Sequence, residues 1–268
     1  MSYESVPGLD IALDAGVLRL TLDRPEKRNA IDDTMMTGLI GAVQDAGEDE
    51  QVRAIVLSGR GDDFCAGFDI IGRNTPGRPT PRTGSIQRRL PSHAHRLIPM
   101  VLEVQTPVVC AVRGWAAGIG LNLAIAADFT VAAVDARFWA PFVARGFTAD
   151  SGSSWLLPRR IGDVRARQML ELARVVEGAQ AEDWGMIHAA VEPSALDATV
   201  EELVAEVASS ATVALGLTQW LLHSGRSSSL ETQLRDEAFA MELSSRSEDF
   251  RIGLKAFAEK QTPEFTGR

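Results

Sequence analysis

Two short segments of this chain carry the pattern most able to do chemistry. Asp63-Phe64-Cys65-Ala66-Gly67-Phe68-Asp69-Ile70 follows an apolar run at Ala54–Leu57. Arg113-Gly114-Trp115-Ala116-Ala117-Gly118-Ile119-Gly120-Leu121-Asn122 follows another at Val108–Val112, about fifty residues on. In each, a buried strand should run through a small-residue turn into a helix start. Helix starts leave backbone N–H groups unpaired and partly positive, and so attract anions or a developing oxyanion. Small residues let a ligand approach the backbone closely. One such turn is common for steric reasons alone; two together fit a pair of donors aimed at one carbonyl oxygen.

The groups able to move a proton near such a site are few. Asp150, in Gly146-Phe147-Thr148-Ala149-Asp150-Ser151-Gly152, would suit proton abstraction from carbon. Partial burial makes a carboxylate a stronger base, while a nearby helix start opposes that shift. The same residue equally fits a helix N-cap. His93 and His95 lie on the helix after the Arg/Pro loop, from which one could reach the pocket as acid or base, or simply be solvated or hydrogen-bonded. Cys65 sits beside a donor but reads as a small buried thiol.

The elements that must position these groups follow from periodicity. Val17–Leu22 alternates like a half-buried strand and ends at Arg24-Pro25. Asp32 or Asp33 should cap a helix to about Ala46, and Ala54–Leu57 forms the next strand. Residues 72–84 hold three Pro, three Gly and three Arg, which predicts a surface loop or a cationic flap. A helix from Gln87 to Glu103 should be kinked or divided at Pro91 and Pro99. Phe129–Ala132 and Arg137–Trp139 read as strands, and helices dominate from Ser151 onward. The fold class is α/β.

Composition narrows the function. Of 268 residues, 45% are hydrophobic and 24% charged, which excludes a disordered chain. Lys and Arg total 27 against 36 acidic residues, a net charge of −9, so the global basic footprint of a nucleic-acid binder is missing. No apolar run approaches the ~20 residues that span a bilayer. The opening MSYESVPGLD lacks the features of a signal peptide. Two cysteines without CxxC spacing suggest neither a disulfide framework nor a metal site, and the expectation is a soluble cytoplasmic protein.

Taken together, "RPEKRNAI", "FCAGFDI", "GWAAGIGLNLAIAADF" and the late "FRIGLKAFAEK" resemble the enoyl-CoA hydratase/isomerase (crotonase) family over nearly the whole chain. The resemblance implies a crotonase-like spiral ββα core over residues 1–195, carrying the coenzyme A and active sites. A C-terminal helical trimerisation region over residues 196–268 would add nucleotide contacts, and the assembly would be a homotrimer or homohexamer. The implied substrate is an acyl-CoA thioester of fatty acid or lipid metabolism. The chemistry would be that of an isomerase or lyase, with no cofactor beyond the coenzyme A of the substrate.

Residue by residue, the resemblance assigns the oxyanion hole to the backbone N–H groups of Ala66 and Ile119. Ile119 replaces a commoner Gly, but the donor is main chain. Coenzyme A contacts are implied for Lys27, Arg28, Ala66, Asp69, Ile70, Phe257 and Lys260, the last two often reaching a neighbouring subunit. Asp69 would mainly brace its loop. By residue type alone, Trp115, Trp139 and Phe142, with Phe138, could line an apolar acyl or aryl pocket or equally pack in the core. The family's hydratases use two glutamates, and the matching positions here are Asn122 and Phe142, neither of which can act as a general base. Asp150 matches the catalytic Asp of related isomerases and dehalogenases. The expectation is therefore double-bond isomerisation, with Asp150 as proton carrier and Asn122 beside it. Hydration, hydrolysis or dehalogenation of a particular acyl- or aryl-CoA are the alternatives, as is an acyl-CoA-binding protein that lost its chemistry.

Overall fold

The computed structural model describes residues 3–70 and 82–268. A six-stranded sheet runs in the order β1 (Leu9–Asp14), β2 (Val17–Leu22), β3 (Ala54–Gly59), β4 (Val108–Val112), β6 (Phe129–Ala133), β9 (Ala189–Val191). β1 and β2 form an antiparallel hairpin, and every later pairing in this sheet is parallel. A second sheet sets β5 (Trp115–Ala117) against β7 (Arg137–Trp139) and β8 (Val176–Glu177). The hairpin turn falls on Ala15 and Gly16, both with positive φ, as a tight two-residue turn requires.

Both faces of the larger sheet are covered, which explains why Ala54–Leu57 and Val108–Val112 are apolar throughout rather than alternating. On one face Leu18, Leu20, Ile55, Leu57, Val108 and Cys110 meet α1 (Asp33–Glu48) and the helices beyond it. On the other, Val17, Val56, Val109 and Val131 meet Leu196, Val200, Val204 and Val207. α1 starts where expected: Asp32 Oδ1 accepts the amides of Thr34 and Met35, each at 3.0 Å, and the helix buries Met35, Met36, Leu39, Ile40 and Val43.

The helix expected over 87–103 is divided at Pro91. α2 (Ser85–Arg89) is followed by a 3-10 turn at Leu90–Ser92, and then by α3 (Ala94–Glu103), which contains Pro99. Residues 71–81, which include most of the Pro/Gly/Arg segment, lie outside the described residues. α4 (Ile119–Ala126) is buried along its whole length. α5 (Ser153–Leu170) is broken at Gly162, and α6 (Gly178–Asp183) leads into β9.

α7 (Leu196–Ala208) is the cover of the sheet's second face. After it, α8 (Thr212–Ser224), α9 (Leu230–Ser244) and α10 (Glu248–Glu259) expose much apolar surface, including Leu230, Leu234, Phe239, Met241, Leu254 and Phe257. Among the described residues, no helix is long and apolar enough to cross a membrane.

Candidate active site

The two glycine turns meet. Residues 65 and 116 form a parallel bridge in which the Cys65 amide donates to the Trp115 carbonyl and the Ala117 amide to the Cys65 carbonyl, each at 2.8 Å. Their glycines allow this approach. A β-carbon on Gly120 would fall 2.6 Å from Cys65 Cβ and 2.7 Å from its carbonyl oxygen. One on Gly118 would sit 3.8 Å from Gly67 Cα. Cys65 lies buried in this seam, and burial pushes its thiol up to about 12, so it stays protonated and structural.

The second turn leaves one main-chain N–H open. Ile119 opens α4, is buried, and its N–H has no acceptor among the described residues. The Gly118 amide, just before it, donates to the Trp139 carbonyl at 3.0 Å. The first turn is used differently, and it corrects one expectation. The Ala66 amide donates to the Arg28 carbonyl at 2.8 Å, so it ties the early loop to the turn rather than facing a ligand. Further along, Ile31 donates to the Gly67 carbonyl and Asp69 donates back to the Ile31 carbonyl, both at 2.8 Å.

Asp150 is half-buried, and its carbonyl is tied to Asn122 of α4. Burial raises its pKa above the ordinary carboxylate range, opposed by a hydrogen bond from Ser151 Oγ at 3.0 Å and by the charge of His95. Asp150 is not the side-chain cap of α5. The N-cap position is Gly152, with no side-chain cap bond, and Asp150 enters the helix start only through its carbonyl, which accepts the Ser153 amide at 3.0 Å. His93 Nδ1 lies 3.1 Å from Ser92 Oγ.

Asn122 is fully buried, and its Nδ2 donates to the Asp150 carbonyl at 3.2 Å and to Ser153 Oγ at 2.8 Å. Its Oδ1 is buried with no partner among the described residues, a condition that costs about 1–3 kcal/mol. Phe142 is also buried and stacks edge-on against Phe147 with ring centroids 5.8 Å apart.

Trp115 and Trp139 lie together, 5.7 Å between centroids, but on the face of the small sheet opposite Phe138, which points into the core. Arg137 lies over Trp115 and Arg145 over Trp139, each at 5.3 Å, and Trp139 Nε1 donates to the Ala173 carbonyl at 2.9 Å. That cationic company differs from the apolar acyl lining expected of the pair.

The expected coenzyme A residues divide into two groups. Asp69 is a brace: its carboxylate meets Arg24 at 3.2 Å and Lys27 at 3.0 Å. Arg28 lies 3.6 Å from Asp63, whose other oxygen accepts the Trp115 amide at 2.8 Å. Ile70 is exposed beside them. Phe257 and Lys260 are exposed at the end of α10. Residues that the sequence did not single out hold the early loop in place. Arg24 also meets Asp32 at 3.2 Å, and buried Asn29 donates to the carbonyls of Arg60 and Asp63 at 3.0 and 2.6 Å.

Comparison with known proteins fits this geometry. Residues 12–268 match the family model described as enoyl-CoA hydratase/isomerase. The chain belongs to that family. It is 37% identical to 1,2-epoxyphenylacetyl-CoA isomerase of Escherichia coli (strain K12), over 96% of this chain and 97% of that protein. It is 29% identical to 4-chlorobenzoyl coenzyme A dehalogenase-1 of an Arthrobacter species, over 87% of this chain and 83% of that one. The crystal structure of enoyl-CoA hydratase from Bacillus anthracis superposes with a TM-score of 0.90 at 26% identity, covering 97% of this chain and all of that chain. The architecture is therefore the crotonase fold of this family.

Proposed function

We propose that this family member processes an acyl-CoA thioester by shifting a double bond, with Asp150 as the proton carrier. The observation that carries the proposal is the half-buried carboxylate of Asp150, its pKa raised by burial, on a turn tied through Asn122 to the helix that the Ile119 N–H opens. The thioester oxygen would accept from the Ile119 amide at the start of α4. Loss of one such donor typically costs about 3 kcal/mol of transition-state stabilisation. Asp150 would take a proton from the carbon next to, or conjugated with, the polarised carbonyl. The electron pair moves onto the thioester oxygen as an enolate, and the same carboxyl returns the proton at the other end of the conjugated system. The substrate and product stay isomers, and no outside reactant is consumed.

Asn122 and Phe142 support this over ordinary hydration, because neither can deprotonate a water molecule. The Escherichia coli relative is named an isomerase, and the Arthrobacter relative favours a second reading, displacement on an aryl-CoA. Exposed Leu230, Phe239, Met241 and Phe257 support assembly through α8–α10 as a homotrimer or homohexamer in the cytoplasm, with Phe257 and Lys260 reaching a neighbour's nucleotide. Lys27 and Arg28 would meet the pyrophosphate.

A panel of enoyl-, epoxy- and haloaryl-CoA thioesters tests the reaction, scored for isomer formation, water addition and free coenzyme A or halide. Isomer formation with exchange of acyl protons in deuterium oxide is expected. Asp150→Asn should lower both by about 10³-fold, the scale of a lost general acid–base, with coenzyme A affinity retained. Exclusive release of free coenzyme A or halide, or binding without turnover, would contradict the isomerase reading.

A further inference from the structure

Asn122 joins the two halves of the site. Its amide nitrogen donates to the Asp150 carbonyl and to Ser153 Oγ, and Ser153 Oγ donates on to that same carbonyl at 2.8 Å. With the Ser153 amide, the Asp150 carbonyl is gripped by donors from α4 and from α5. The two residues that follow it have positive φ, 50° at Ser151 and 85° at Gly152. Serine has no intrinsic preference for that region, so the turn persists because its surroundings over-determine it.

At its other end, Asn122 belongs to the helix that starts at Ile119, and its own amide donates to the Gly118 carbonyl at 3.1 Å. Side chains lean toward a helix N-terminus, which brings this carboxamide back toward the Ile119 donor. The orientation of the carboxamide is fixed by chemistry, since only its nitrogen can face the Asp150 carbonyl. That choice leaves Oδ1 buried without a partner among the described residues. An amide held with half of its hydrogen-bonding capacity unmet is there for the half that is used.

We propose that Asn122 is a positioning residue. It spans from the helix carrying the oxyanion donor to the turn carrying Asp150, and sets where that carboxylate stands relative to the polarised carbonyl. The inference rests on Asp150 being the proton carrier. It gives Asn122 a role that needs no proton transfer, although its position matches a glutamate of the hydratases. The groups that act on the Asp150 carboxylate are Ser151 Oγ and the charge of His95, and neither replaces the Asn122 link.

Asn122→Leu keeps the volume and removes the donor, and Asn122→Ala removes both. Each is compared with Asp150→Asn in the full chain, using a thioester that the wild type turns over. Both Asn122 variants should lose about 10²-fold in kcat, the scale of an ångström-sized misplacement, with KM changed less than about twofold. The acid limb of the kcat–pH profile should move as well. A packing role would lower Tm in Asn122→Ala while leaving kcat and the pH limb of the folded enzyme unchanged in both variants, and that result overturns the proposal. If Asp150→Asn is inactive while Asn122→Leu is fully active, positioning alone fails. If Asp150→Asn keeps its turnover, the proton-carrier reading fails first.

Discussion

The first and second glycine turns look alike in sequence and do different work. In residues 64–70, main-chain groups are spent on cross-links: Phe64 to Arg113, Cys65 to Trp115, Ala66 to Arg28 and Asp69 to Ile31. That turn is a staple between the early loop and the small sheet. In residues 113–122 the chain enters a buried helix, and the Ile119 amide at its start has no acceptor among the described residues. A Gly-rich turn after a strand therefore signals close approach of two backbones. Whether its amides are available depends on where the neighbouring carbonyls fall.

The contrast can be broken at the seam. Gly120→Val should have the largest effect of these substitutions, because its β-carbon would overlap Cys65, backbone oxygen included. Forcing the turns apart should cost about 3 kcal/mol and remove most turnover, read by denaturant unfolding and by the thioester assay. Retained activity at unchanged stability would mean that the seam is soft.

Asp69→Ala comes next. It leaves Arg24 with Asp32 but unpairs Lys27, and should cost about 1 kcal/mol while raising KM more than it lowers kcat, since it loosens the staple. An unchanged KM would separate the brace from the ligand site.

Asp150→Asn sharpens the comparison from the turn that Asn122 of α4 holds. The sign follows from the raised pKa: the ionised carboxylate is less favourable in the folded protein than in the unfolded chain. The stability that the protonated form confers is present below the unfolded carboxylate value and lost as pH rises through the folded one. At neutral pH the asparagine variant should therefore be slightly more stable, even as turnover falls, and a lower Tm would show that the charge is structurally required. The smallest effect is expected of Ile119→Val. Turnover should stay within about twofold because the donor is main chain, while stability falls by about 0.5–1.5 kcal/mol for the lost methylene.

The strands and α1 could be read from the sequence because their signals are local: apolar runs, an Asp cap and a breaking proline. β1 was missed although Leu9–Asp14 alternates, since its only punctuation is the Ala15-Gly16 turn. β5 reads as part of a turn because three residues are too few to show a period. The candidate donor Ile119 and the carboxylate of Asp150 were legible by type and position. The spending of the Ala66 amide was not, because it is decided by a carbonyl 38 residues earlier. Nor was the Asn122 link, which depends on how α4 and α5 cross, or the cationic setting of Trp115 and Trp139, which depends on two arginines brought in by the β7 region.

The central claim is that the Ile119 amide, at the seam of the two turns, pulls electron density toward a thioester oxygen. The stretching frequency of a 13C-labelled thioester carbonyl, bound to the wild type and to Ile119→Val, tests it most directly. The frequency should drop on binding, and equally in both proteins. A bound carbonyl that vibrates as it does in water would contradict the account.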